Sequence, residues 1–506
     1  MKKIDILVFM SDQHTPYCMG NSSIQADTPS LDALQQEGVS FTEAYTSCPL
    51  CVPARMSMLS AQRPARTGIF TNNDTLADIT PTFLHNLVEA GYETVLIGRM
   101  HFIGKDQRHG FIKRIAPDIT PVSWTRPDWL KQQLGVFTHT LGYKWCTHVV
   151  GGGESPVIHY DQMVVDAAVE YLSQQHDKPQ FIIVGTYGPH FPYVAPKDLF
   201  LKYQESSEVS DTFGMQPDFI NPVLAFLQDH SVKKEVVKAA RSAYRGMVEN
   251  TDRHVGRVRD AFNKFTQERG SKKLFCYLSD HGDTLGDYSV FGKKTFFEKS
   301  VKIPLIFAGD DVQKNQTVDS PVSIMDLGPT ICEWADAAPM IGIDGVSLSG
   351  NLQGGLEDKN RIVYSEQVEK QGDGKRVYAC MLKQGVYKYI TYYGYEKQDM
   401  LFNTCSDPEE KHNLACEMPE ILEKFRNAAA QLTNPVQCEK EQEYHERYLQ
   451  LFTAYEGVVG INDNERWGQN PPEARINPEI CITGLISEPG KNQSSAYFGG
   501  KYPINE

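Results

Sequence analysis

The chain has 506 residues, 41% of them hydrophobic and 23% charged, an ordinary balance for a globular protein in water. Its net charge of −14 argues against a nucleic-acid surface, and no apolar run approaches the ~20 residues a membrane helix needs. The length allows roughly three domains of about 150 residues, although large α/β units hold more in one body.

Two lysines precede the apolar run Ile6 to Met10, a pattern that imitates a signal peptide. The run is too short for an h-region of about seven or more residues, and no small-residue cleavage site follows. We read it as a buried strand. The 11 cysteines are odd in number and scattered, which points to a reducing, cytoplasmic setting in which sequons such as Asn73-Asp74-Thr75 are silent.

Further along, Thr94 to Ile97, Phe181 to Val184 and Leu274 to Leu278 read as strands separated by helical periodicity, an α/β arrangement. Each run ends in polar residues: Asp12-Gln13 after the first, Gly98-Arg99-Met100-His101, Gly188-Pro189-His190, and Asp280-His281-Gly282-Asp283. Ligands of open α/β sheets sit beyond the carboxyl ends of the strands, so these clusters are expected to share one crevice. Helices are expected over Met163 to Gln174 and Lys233 to Phe265, the second with Arg241, Arg245, Arg253, Arg257 and Arg259 on a solvated, ion-paired face.

From about Arg361 the pattern changes to strand-like runs, Arg376 to Leu382 and Gly385 to Tyr393, followed by a helix around Pro419 to Leu432. The expected organisation is an α/β catalytic domain over residues 1–365, an antiparallel α+β subdomain over 366–455, and an irregular tail over 456–506. The Gly-, Asn- and Pro-rich tail could reach a neighbouring subunit, so a homodimer or tetramer is expected.

The segment Ser47-Cys48-Pro49-Leu50-Cys51-Val52-Pro53-Ala54-Arg55 carries two overlapping signals. Cys48 and Cys51 form a C-x-x-C, open to reading as a redox pair or half a zinc site. A zinc site needs a second ligand pair, and no other C-x-x-C or C-x-x-H occurs. The overlapping Cys-x-Pro-x-Arg is instead a signal for converting Cys51 to an aldehyde.

Taken together, the ordered motifs resemble the type I, formylglycine-dependent sulfatase family of the alkaline phosphatase superfamily. Asp12-Gln13 resembles its first metal pair, Cys51 to Arg55 its maturation motif, and Gly98-Arg99-Met100-His101 its Gly-Lys-x-His. Pro189-His190-Phe191-Pro192 resembles its Pro-His-x-Pro, Asp280-His281 its second metal motif, and Gly292-Lys293 and Phe297-Glu298 a later core segment. Arg99 for lysine, and Ser60-Ala61-Gln62 for Thr-Gly-Arg, depart from the pattern. The run Gly98 to Phe111 with Trp124 to Trp129 resembles the choline-sulfatase branch. The resemblance implies a large mixed β-sheet flanked by helices with a smaller C-terminal α+β subdomain.

It also implies hydrolysis of a sulfate monoester to alcohol and inorganic sulfate. Cys51 would become 3-oxoalanine (formylglycine) through a maturation enzyme; one hydroxyl of its hydrate would attack sulfur and the other would let the adduct collapse. Arg55 and Arg99 would hold the hydrate, and Lys293 a sulfate oxygen. His190 would protonate the leaving group, and His101 would take the proton during collapse. Asp12, Gln13, residue 51, Asp280 and His281 would bind one divalent cation, most often Ca²⁺ in the family, with Mn²⁺ and Mg²⁺ compatible with the donors. The substrate stays open among choline sulfate, a sulfated sugar and an aryl sulfate. Trp124 or Trp129 could wall a quaternary ammonium or simply pack a loop. Phosphonate monoester and phosphodiester hydrolases share the same positions and are the alternative; a non-catalytic relative would have lost site residues, and none is lost.

Overall fold

The computed structural model describes residues 4–20, 22–120, 122–124, 146–460 and 477–482. At its centre four strands lie side by side and parallel, in the order Lys272–Ser279, Ile4–Asp12, Gln180–Pro189 and Glu93–Gly98. They belong to an eight-stranded sheet. Leu305–Gly309 joins antiparallel beside Lys272–Ser279, followed by Gly38–Phe41 and the edge strand Gln316–Val318, which makes the sheet mixed.

The central strands are apolar without interruption because both faces are covered. Leu7, Phe9, Ile182, Val184 and Tyr277 pack toward the helices Pro156–Leu172 and Lys234–Arg269. Their neighbours Ile6, Val8, Met10, Ile183 and Leu278 pack the other way, against Met56 and Leu59 of the helix Cys51–Ser60. This period of two puts the sheet in the middle of a three-layer body.

The helix Pro156–Leu172 starts earlier than the periodicity indicated, with Pro156 in its first turn and Ser155 as the N-cap, accepting from the Ile158 N–H. One sequence expectation is corrected on the helix Lys234–Arg269. Arg241 and Arg245 are buried rather than solvated. Arg241 donates to Leu285 O at 3.0 Å and pairs with Asp287 at 3.1 Å, while Arg245 donates to Gln25 O at 2.6 Å. The helix passes beneath the loops that leave the strands, which bury its middle over 239–249; Lys234, Glu235 and Lys238 at its start face water, as do Arg253 and Arg257 further on, paired with Glu249 and Asp166.

A four-stranded antiparallel sheet follows, formed by Val363–Lys370, Arg376–Gln384, Tyr387–Tyr392 and Met400–Asn403, with the helix Pro419–Leu432 against it. Lys388 of this sheet is fully buried and meets Glu298 at 2.9 Å, tying the smaller unit to the main body. A second helix, Pro435–Val459, was not apparent from the sequence. In the stretch expected to be irregular, Asn477–Cys481 is a strand paired antiparallel with Val150–Glu154. No described helix is long and apolar enough to cross a membrane.

Candidate active site

Asp12 ends its strand, and Gln13 turns away at φ 67°; Arg99 and His101 follow the Glu93–Gly98 strand, His190 the Gln180–Pro189 strand, and Asp280 and His281 the Lys272–Ser279 strand. Because these strands are parallel, all the groups emerge at one end of the sheet. The helix Cys51–Ser60 supplies the rest. Cys51 is its first residue and Arg55 lies one turn on, so both face the same way. Residue 51 also sits at the positive end of the helix dipole, where developing anionic charge is favoured.

Asp12 and Asp280 are fully buried, and Arg55 bridges them, with NH2 on Asp12 Oδ2 at 3.0 Å and Nε on Asp280 Oδ2 at 2.8 Å. Arg99 Nε adds a second contact to Asp12 Oδ2 at 2.7 Å. Each carboxylate thus turns one oxygen to a guanidinium and leaves Oδ1 facing inward. Around that interior, Cys51 Sγ lies 2.9 Å from Lys293 Nζ, 3.3 Å from His281 Nε2 and 3.7 Å from Asp12 Oδ1. Lys293 Nζ also meets His190 Nε2 at 2.8 Å.

The electrostatics follow from burial against charge. Burial alone would raise the Asp12 carboxyl, but Arg99, His190, Lys293 and Arg55 outweigh it and hold Asp12 well below the usual carboxylate range. Burial pushes the Cys51 thiol up, with Asp12 adding to the effect, so the thiol is neutral. Burial also lowers His281 to about 4. Its Nδ1 faces Gly282 O at 3.0 Å, which places the ring proton there and leaves the Nε2 lone pair turned inward.

These residues fit a divalent cation. Donor atoms of Asp12, Cys51, Asp280 and His281 all lie within 4.8 Å of one another. Gln13 donates through Nε2 to Asp283 at 2.6 Å, yet its buried Oε1 has no hydrogen-bond partner. Two inward carboxylate oxygens and a histidine lone pair, with the orphaned amide oxygen on Gln13, whose backbone N–H reaches Asp280 Oδ1 at 3.1 Å, make a hard, oxygen-rich donor set. Removing divalent cations with a chelator is therefore expected to lower the melting temperature. Re-adding Ca²⁺, Mn²⁺ or Mg²⁺ should restore it, by about 2.7 kcal/mol at a hundredfold excess over Kd; thermal unfolding with and without cation checks this.

The structure brings together Asp12, Gln13, Cys51, Arg55, Arg99, His101, His190, Asp280, His281 and Lys293. Cys48 is buried and unpaired, and it lies outside the donor cluster. The cavity above Lys293 has a volume of about 390 Å³ and is lined among others by Leu50, Phe70, Phe191, Phe226 and Glu369. A larger cavity of about 680 Å³, beside Tyr17, Ser40 and Lys302, contains none of the site residues. Trp124 does not line the smaller cavity; it stacks on Phe452 at 4.8 Å and donates to Asn73 O. Trp129 lies outside the described residues.

Sequence reasoning missed Asp118, Thr120 and Tyr187. Asp118 Oδ1 pairs with Arg99 NH1 at 3.1 Å and its Oδ2 accepts the His101 N–H at 2.7 Å, while Thr120 Oγ1 accepts from Arg99 NH1 at 2.7 Å. The Arg99 guanidinium also lies 4.7 Å from the Tyr187 ring centroid. Asp118 stands in no motif. The one signal in the sequence was indirect: an arginine in place of lysine needs partners for its extra N–H groups.

With this geometry in view, comparison with known proteins places the chain. The Sulfatase family profile matches residues 5–337, and that of the N-sulphoglucosamine sulphohydrolase C-terminal region matches 286–435. The chain is 31% identical over 442 residues to the choline-sulfatase of Rhizobium meliloti (strain 1021), covering 82% of each. It is 24% identical to arylsulfatase K of Mus musculus, over 87% of this chain and 82% of that one. Among solved structures, the phosphonate monoester hydrolase of Agrobacterium radiobacter shares the fold, with a TM-score of 0.69 at 19% identity, over 85% of this chain and 95% of the other. The chain belongs to the sulfatase family and is a sulfuric ester hydrolase.

Proposed function

We infer that the protein hydrolyses a sulfate monoester through a formylglycine formed from Cys51, assisted by a divalent cation at Asp12, Gln13, residue 51, Asp280 and His281. The observation that carries the reading is the position of Cys51. It opens a helix, 2.9 Å from Lys293 and 3.3 Å from His281, in a buried cluster of paired charges.

Once oxidised to the aldehyde and hydrated, residue 51 would offer two hydroxyls on one carbon, one to attack sulfur and one to release sulfate. A cation in the donor set would supply positive charge that lowers a hydroxyl pKa and polarises a sulfate oxygen. The remaining work falls to side chains. Arg55 and Arg99 keep Asp12 ionised, Arg55 also pairs with Asp280 and aims both carboxylates inward, and Arg55 stands one turn from residue 51 to hold its hydroxyls. Lys293 places an ammonium where a sulfate oxygen would lie. His190 Nε2 accepts from that ammonium at 2.8 Å, so the proton it passes to the leaving oxygen is one it first draws from Lys293. His190→Gln is accordingly expected to cost ~10²–10⁴-fold in kcat for alkyl sulfates and markedly less for aryl sulfates, whose oxygen leaves without help. A leaving-group series with the variant checks it.

The cavity suits a small organic ester. Its Phe191 and Phe226 rings offer aromatic faces to a choline ammonium, but Glu369 is held by Lys294 at 2.8 Å and Lys293, Lys370 and Arg376 share the lining, so the choice of choline sulfate is carried by the 31% identity to the choline-sulfatase. The test is the matured protein on choline sulfate, an aryl sulfate, sulfated sugars and an aryl phosphodiester. Choline sulfate should have the highest kcat/KM; preference for the phosphodiester would overturn sulfatase chemistry in favour of the phosphonate and phosphodiester hydrolases. Self-association as a dimer or tetramer belongs to the same proposal, supported by the exposed row Tyr444, Tyr448, Leu451 and Tyr455 on the helix Pro435–Val459.

A further inference from the structure

We propose that Arg99 fixes His101 as a hydrogen-bond donor, its proton on Nε2, so that the ring steadies an oxygen at the reacting centre instead of taking a proton from it. The inference rests on the sulfatase reading above, and it departs from the base role that resemblance alone gives His101.

A guanidinium has only N–H donors and stays charged. The ring atom that Arg99 NH2 meets at 2.8 Å is His101 Nδ1. Nδ1 must therefore present its lone pair, which leaves the single proton of a neutral imidazole on Nε2. A doubly protonated ring would set donor against donor. A nitrogen that already carries its proton cannot serve as a base, so the proton that the second hydroxyl loses on collapse returns to the Nε2 lone pair of His190, left free once the leaving oxygen has been protonated.

The contact is held from several sides. The other Arg99 nitrogens are committed, Nε to Asp12 at 2.7 Å and NH1 to Asp118 at 3.1 Å and Thr120 at 2.7 Å. The second oxygen of Asp118 accepts the backbone N–H groups of Met100 at 3.2 Å and His101 at 2.7 Å, fixing His101 at its left-handed φ of 61°. One buried carboxylate thus sets both the guanidinium and the backbone that carries the ring. Lysine, with one nitrogen at its tip, could not span Asp12, Asp118 and the ring together. The other site histidines are arranged the opposite way. Nδ1 of His190 faces Phe191 O at 2.7 Å and Nδ1 of His281 faces Gly282 O at 3.0 Å, so in both the Nε2 lone pair points inward.

Two measurements on the full chain test the proposal. In ¹⁵N-histidine-labelled protein, long-range ring correlations at neutral pH should show His101 protonated at Nε2, assigned by the signals lost in His101→Gln; Arg99→Lys should relax that preference. In the matured enzyme, His101→Gln keeps an amide N–H near Nε2 and should stay within about tenfold of wild type, whereas His101→Ala should lose ~10²–10³-fold, the usual cost of a lost oxyanion donor. An Nδ1–H ring, or glutamine and alanine variants equally slow, would overturn the proposal. A wild-type protein without sulfate-ester turnover would defeat the sulfatase reading instead, and the ring spectrum would still decide the tautomer.

Discussion

Cys51→Ala is expected to abolish sulfate-ester turnover, on the order of the 10⁶-fold that loss of a catalytic nucleophile costs in well-studied hydrolases, while the melting temperature stays near that of the wild type. The reasoning starts from what the side chain touches. Cys51 is buried, and its sulfur meets Lys293, His281 and Asp12, groups arranged for chemistry rather than packing. Alanine keeps the helix start and removes one atom, so the stability change should stay within about 1 kcal/mol. Cys48 provides the control. It is equally buried but outside the donor cluster, so Cys48→Ala should leave kcat/KM within about tenfold. Equal damage from both variants would restore the C-x-x-C reading.

The second large effect concerns stability. Arg55→Met should destabilise the fold by about 3–5 kcal/mol, because it strips the shared partner from two fully buried carboxylates. The pH dependence gives the sign. In the wild type Asp12 is held low, so its contribution is present above the unfolded value of ~3.9 and is lost as pH falls below it. Without Arg55 burial is less opposed and the folded value rises, so less stability should be lost on acidification. Denaturant unfolding at pH 7 and across the acid limb measures both effects. Saturating divalent cation should recover part of the loss at pH 7, since it supplies the positive charge that Arg55 no longer does. A variant as stable as the wild type, with an unchanged acid limb, would mean that Arg55 is not the bridge described here.

Much of the site was readable because its residues follow strands whose apolar runs are unambiguous. Asp12, Arg99, His190 and Asp280 each stand a few residues beyond such a run, and parallel pairing then forces them to one end of the sheet. Cys51 and Arg55 were readable from the Cys-x-Pro-x-Arg pattern, whose four-residue spacing puts both on one face of the helix Cys51–Ser60. Asp118 was not, since it lies on an irregular segment and its role exists only once Arg99 has been placed beside it. Arg241 and Arg245 misled for a similar reason. Helical periodicity says which residues share a face but not whether loops from elsewhere cover that face, and here Leu285, Asp287 and Gln25 do. The strand Asn477–Cys481 depends on pairing with Val150–Glu154, a partner far away in sequence that no local pattern can indicate. Trp124 was legible as an aromatic residue near the site but not as one already occupied by Phe452.

The conversion of Cys51 decides the account most directly. Peptide mass spectrometry on fully active protein, produced alongside a maturation enzyme, should find the peptide bearing residue 51 lighter than its thiol form by the exchange of sulfur for oxygen and the loss of two hydrogens. Its aldehyde should be trapped by a hydrazide. A wholly unmodified Cys51 thiol in protein of full sulfatase activity would contradict it.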